Sequence, residues 1–164
     1  MAGRITKSQQ QLRPDPRFHD IVLAKFINCV MLDGKKSTAQ RVVYGALDQI
    51  QKRVDKDKIE QLPKTSIEVF RQAIDRTKPD VEVRSRRVGG TNYQVPMQVT
   101  QGRRQSLAFR WIIQAARGES GKPMADRLAR ELYDAAKGEG KAMTVRDNTH
   151  RMADANKAFA HFAW

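Results

Sequence analysis

The 164 residues suffice for one domain with a real core, and 31 Lys and Arg against 18 Asp and Glu give a formal net charge of +13 and a pI near 10.3. Such an excess says little about fold and much about partners, which should be polyanionic: nucleic acid or an anionic membrane surface. The longest early apolar run, Ile21-Val22-Leu23-Ala24, falls far short of the roughly 20 residues that span a bilayer, and the single Cys29 excludes an internal disulfide or cysteine-based metal site, as suits a reducing cytosol.

Residues 1–17 (MAGRITKSQQQLRPDPR) lack hydrophobic periodicity and read as a flexible basic tail that orders only on a partner, offering Arg4, Lys7, Arg13 and Arg17. The acid-free start faintly resembles a mitochondrial transit peptide, but it is short and runs into Pro14-Asp15-Pro16. Residues 18–164 read as a single helical RNA-binding domain.

From His19 to Leu32, the residues Val22, Leu23, Phe26, Ile27, Val30 and Met31 recur at helical spacing, with Asp33-Gly34 as the stop. Ser37 and Gln40 have capping-box spacing for a second helix, whose apolar stripe runs from Ala39 through Val43 and Leu47 to Val54. A charged stretch, 55–64, interrupts it. Thr65 and Glu68 offer another capping box for a third helix through Thr77, ended by Lys78-Pro79-Asp80.

The period then changes to two. Val81 and Val83 alternate with Glu82 and Arg84, and Val95, Met97 and Val99 alternate with Gln94, Pro96 and Gln98. Gly89-Gly90 between them predicts a hairpin over about 81–99, with Pro96 at an edge position. Three more helices are expected over 103–117, 123–137 and 144–160. Pro123 suits the first turn of the middle one and Gly138 its end, while Thr144 with Asp147 suits a cap for the last. The expected fold is mostly α: a six-helix domain with one protruding antiparallel β-hairpin.

Charge placement is more telling than its total. From Arg84 to Arg117 there is no acidic residue in 34 positions, and the basic residues are Arg84, Arg86, Arg87, Arg103, Arg104, Arg110 and Arg117, never Lys. A guanidinium offers a planar fork that can hold a phosphate bidentately or stack on a base. On a helix Arg103, Arg110 and Arg117 fall within about 40° of one another, leaving a narrow cationic stripe with no carboxylate at i+3 or i+4. A solvated face would mix both signs.

Other residues carry two readings. Lys35 and Lys36 suit RNA contact or a plain solvated turn, and Tyr93 a stacked base or a cross-strand partner. Arg146, His150, Lys157 and His161 share one face of the last helix, but Asp154 lies there too. Arg76 and Lys78, beside the hairpin, complete the basic candidates.

Catalysis has little to stand on. Gly34-Lys35-Lys36-Ser37 imitates a phosphate loop, but the position needing the first Gly is Cys29. His19, His150 and His161 lack metal-ligand spacing, Cys29 lies toward an apolar helix face as a small core residue, and no nucleophilic triad or carboxylate pair stands out. No metal, cofactor or enzymatic activity is expected.

Four blocks carry a resemblance: Pro14 to Phe18 (PDPRF), Asp33 to Ala39 (DGKKSTA), Val81 to Pro96 (VEVRSRRVGGTNYQVP) and His150 to Phe162 (HRMADANKAFAHF). With the helical segments between them they resemble the family of bacterial small-subunit ribosomal protein seven, over nearly the whole chain from about Arg13. The resemblance implies a helical domain with a protruding hairpin. It further implies binding to the three-prime major domain of small-subunit ribosomal RNA, nucleation of head assembly, and a place near the exit site beside transfer RNA and messenger RNA. Small-subunit proteins nine and eleven would be neighbours, in the cytoplasm. By motif match the family's RNA contacts map to Arg84, Arg86, Arg87 and the region of Arg103, Arg104 and Arg110. The tail has fewer arginines than familiar members, 55–64 looks longer, and Ala163 stands where a basic residue often precedes the last Trp.

Two other classes compete. A DNA-binding helix-turn-helix regulator would want a compact recognition helix, whereas here the basic groups spread over hairpin, helix and tail. An RNA-processing enzyme would show metal-dependent cleavage.

Overall fold

A computed structural model describes residues 12–57 and 62–162. In chain order they form α1 (Ile21–Val30), α2 (Lys36–Asp57), α3 (Ser66–Thr77), β1 (Val81–Val88), β2 (Thr91–Gln98), α4 (Gln101–Arg117), α5 (Met124–Lys137), α6 (Lys141–Ala155) and a closing 3-10 turn, η1 (Lys157–Phe162). The mostly helical class, the six α-helices and the antiparallel hairpin are as the sequence predicts. None of the described helices is long and apolar enough to cross a membrane.

Apolar stripes lock the helices together. Phe26 of α1 meets Phe70 of α3 edge-on at 5.2 Å between ring centroids and Phe109 of α4 at 5.3 Å, so one ring ties three helices. Such pairs add about 0.5–1.5 kcal/mol beyond the area they bury. Helix α5 packs against α2, α3 and α4, burying Leu128, Ala129, Leu132, Ala135 and Ala136. Its small residues allow the close approach.

The caps show which ends were set locally. Thr65 Oγ1 accepts the Glu68 N–H at 3.4 Å, as expected of that capping box. Asp20 caps α1, its Oδ1 accepting the N–H groups of Val22 (2.6 Å) and Leu23 (3.0 Å) while Oδ2 takes Arg71 Nε at 2.7 Å. Burial pushes the Asp20 carboxyl up, but the Leu23 amide, Arg71 and Val22 outweigh it, so its pKa lies below the usual range.

Three boundaries differ from expectation. Helix α1 stops at Val30, because Met31 is already extended; Asp33 (φ 51°) and Gly34 (φ 71°) instead form the left-handed turn into α2. Ser37 lies inside the first turn of α2, not ahead of it. Helix α6 starts at Lys141, so Thr144 is interior and its hydroxyl donates back to the Gly140 carbonyl at 3.1 Å. The start is fixed from outside: buried Glu131 of α5 accepts the Ala142 N–H at 2.7 Å. Burial raises the Glu131 carboxyl above its ordinary range.

The hairpin turn is Val88-Gly89-Gly90-Thr91, with positive φ at both glycines (58° and 88°), the geometry of a type I′ turn that non-glycine residues rarely adopt. The register pairs Val83 with Pro96 and Arg84 with Val95, so Val83 and Val95 lie on opposite faces. The valines of the two strands therefore do not share one face. The buried side carries Glu82 and Val95, while Val81 and Val83 stay half-exposed.

A two-stranded ribbon alone is marginal, and this one leans on α6 and η1. Tyr93 packs on Phe159 at 5.1 Å and Phe162 at 5.3 Å, and the Asp80 N–H donates to His150 Nε2 at 3.3 Å.

Candidate nucleic-acid interface

The basic candidates divide into two regions and a remainder. The first region is the root of the hairpin. Glu82 projects from β1 toward α4 and holds two guanidiniums: Arg84 Nε donates to Oε1 at 2.7 Å, and Arg103 donates to Oε2 through Nε and Nη2, both at 3.1 Å. Burial pushes the Glu82 carboxyl up, yet the bonds from Arg84 and Arg103 more than reverse this and leave its pKa lowered. Arg104 pairs with Asp80 at 3.1 Å and donates to the Val99 carbonyl at 3.0 Å. The stripe thus meets carboxylates that lie just N-terminal to the acid-free window. The stripe is free of carboxylates along the helix, as expected, but across the fold its first member, Arg103, meets Glu82.

The second region is a groove between α1 and α4. Arg110, Gln114 and Arg117 lie exposed along it, as the helical stripe requires, above Phe109 and Ile113. Lys25 and Asn28 of α1 form the opposite wall, and the groove continues past Arg117 to Lys35 and Thr38 at the start of α2 and Arg127 of α5. No carboxylate lines this groove among the described residues. Its floor is apolar, with Phe109 and Ile113 buried beneath the exposed cations. Arg117 Nη2 donates to the Val30 carbonyl at 3.2 Å, fixing the far end of the stripe.

Cys29 lies on this groove as well. It is exposed, contrary to its expected place in the core, though partial burial still pushes its thiol up. Trp111 is likewise only half-buried, packed against the edge of the core, whereas Phe109 is 3% exposed.

The remaining candidates scatter. Arg4 and Lys7 lie outside the described residues. Arg13 is exposed, but Arg17 pairs with Asp48 at 2.5 Å and lies over the rings of Phe18 and Tyr44. Beside it, Asp15 is buried, accepting the Arg17 and Phe18 N–H groups and the Tyr44 hydroxyl at 2.6 Å. The chain is therefore fastened to the domain by Asp15. Lys36 is exposed beside Lys35, and Arg87 is exposed near the hairpin tip.

Lys78 pairs with Asp75 at 2.5 Å. Arg146 pairs with Asp147 at 2.7 Å and donates to the carbonyl of half-buried Arg76. With His150 bonded to the hairpin root, two of the four basic groups on the expected α6 face serve the fold. Tyr93 finds its ring partners in η1 and not across the hairpin.

Lys25 and Arg127 were not singled out from sequence. Lys25 had a signal, being the one charged residue within the apolar run of α1. Arg127 had none, because its place beside Lys35 comes from the packing of α5 on α2.

A sequence profile described as Ribosomal protein S7p/S5e matches residues 2–157. The chain belongs to that family. It is 60% identical over 162 residues to the small ribosomal subunit protein uS7 of Rhodopirellula baltica, covering 99% of each chain. The uS7 proteins of Paramagnetospirillum magneticum and Colwellia psychrerythraea are each 51% identical over 164 residues, covering both chains completely. The family bears out the resemblance carried by the four blocks, and the profile spans both cationic regions.

Proposed function

We propose that the chain is a non-catalytic constituent of the small ribosomal subunit that binds the three-prime major domain of its ribosomal RNA. In this role it nucleates head assembly in the cytoplasm, near the exit site, where the hairpin tip with Arg87 approaches transfer RNA and messenger RNA. Small-subunit proteins nine and eleven are its protein neighbours.

The observation that carries the reading is the acid-free groove of Arg110, Arg117, Lys25 and Lys35 in a chain of this family. Fixed guanidiniums on a rigid helix match the phosphates of a folded RNA by shape, since an A-form duplex hides its base edges. Arg13, Lys36 and Arg87 extend the footprint; Arg4 and Lys7 would extend it through the tail.

Footprinting on full-length small-subunit RNA tests this. Protection should be confined to the head domain, with log affinity falling against log salt at about −0.7 to −0.9 per phosphate contact. Equal affinity for head RNA, duplex DNA and heparin would overturn it.

A further inference from the structure

Glu82 is an oddity for a polyanion-binding surface. It is 8% exposed, it faces where phosphates are expected, and it cancels charge on two arginines. If affinity alone were at stake, an uncharged residue would serve better.

The geometry shows what the carboxylate does instead. Arg103 gives it Nε and Nη2, and Arg84 gives it Nε with Nη2 on the same oxygen. Each fork is gripped along its Nε–Nη2 edge, which leaves the Nη1 donors for another acceptor on the side away from Glu82. Arg84 rides on β1 and Arg103 on α4, so the one carboxylate links a fork on the hairpin to a fork on the helix.

We propose that Glu82 is a specificity-determining positioning residue. It holds Arg84 and Arg103 in one mutual geometry that fits phosphates of a folded RNA and fits an unstructured polyanion poorly. The proposal rests on the RNA-binding reading above and adds to it the source of selectivity. A loose arginine can wrap any polyanion; a fixed pair rewards only a matched spacing, because the ordering has been done in advance. Asp80 supplies the contrast. It pairs with Arg104, but its side chain is 72% exposed against 11% for Glu82, so that pair is screened and holds little in place.

The experiment compares full-length wild type, Glu82→Gln, Asp80→Asn and Arg103→Lys on a head-domain RNA fragment and on poly(U), at matched salt. Glu82→Gln raises the net charge by one, so a pure charge effect strengthens both ligands by the same factor. The expected result is that poly(U) binding holds or rises while preference for head RNA falls about tenfold, the scale of one charge-assisted hydrogen bond. Asp80→Asn should keep the preference.

Arg103→Lys keeps the charge and removes the fork, and it decides the matter if Glu82→Gln melts early. It should lose preference with an unchanged salt slope on poly(U). Intact preference in Glu82→Gln and Arg103→Lys, or equal strengthening on both ligands in Glu82→Gln, overturns the positioning role alone. Lack of preference in wild type overturns the RNA-binding reading with it.

Discussion

At the hairpin root, Arg84, Arg103 and Arg104 meet Glu82 and Asp80; in the α1–α4 groove, Arg110, Arg117, Lys25 and Lys35 meet no carboxylate among the described residues. The arginines of both regions belong to one run that looks uniform along the chain. The difference teaches that cationic residues in one segment can have separate duties. At the root they share charge with the fold and gain direction. In the groove no carboxylate among the described residues offsets them, which leaves their charge for the attraction proposed above.

The largest expected effect concerns the groove floor. Phe109→Ala should cost about 3–5 kcal/mol and reduce binding through unfolding, as for any large buried aromatic. Trp111→Ala, next in sequence but half-buried, should cost clearly less by denaturant melt. Equal costs would mean that the groove floor is not continuous with the core.

Removing charge separates the regions next. Arg110→Ala with Arg117→Ala should weaken head-RNA binding about 10–100-fold, flatten the salt slope by about 1.5, and leave the melting temperature nearly unchanged. Arg84→Ala with Arg103→Ala should also lower stability, because Glu82 is then left without its partners. If both pairs change binding and stability alike, the two regions are one.

A smaller effect is acid sensitivity of the root. The carboxyl of Glu82 has a folded pKa below its ordinary 4.5. The stability it contributes is therefore fully present above about pH 4.5 and is lost as pH falls through the folded value. The melting temperature of wild type should drop faster below pH 4.5 than that of Glu82→Gln. The gap should be about 1 kcal/mol or less, since Arg84 is half-exposed and solvent screens the pair. Asp20 falls away over a similar range in both proteins and cancels in the comparison.

The smallest effect is chemical. Cys29 lies on the groove, so a maleimide should label it slowly in the free protein and more slowly still with head RNA bound. Unchanged labelling with RNA would place the ligand elsewhere.

Much of this fold could be read from local signals because local physics sets them. Thr65 ahead of Glu68, the Gly89-Gly90 turn and Gly138 at the end of α5 each satisfy a backbone need within a few residues. The narrow stripe of Arg110, Gln114 and Arg117 follows from helical periodicity alone. Apart from the ends of α1 and α2, the misjudged positions depend on partners distant in sequence. Helix α6 starts where Glu131 meets Ala142, Cys29 is exposed because α1 and α4 part around it, and Arg103 turns to Glu82, 21 residues away.

By itself, then, the amino-acid order determined the helical class, the hairpin and the segregation of arginine from acid, since periodicity, turn chemistry and composition act over short spans. Only the tertiary structure decided which arginines keep their charge for a ligand. Whether a guanidinium meets a carboxylate depends on distances through space, and these are set only when the packed helices and the hairpin bring Glu82 within reach of Arg103.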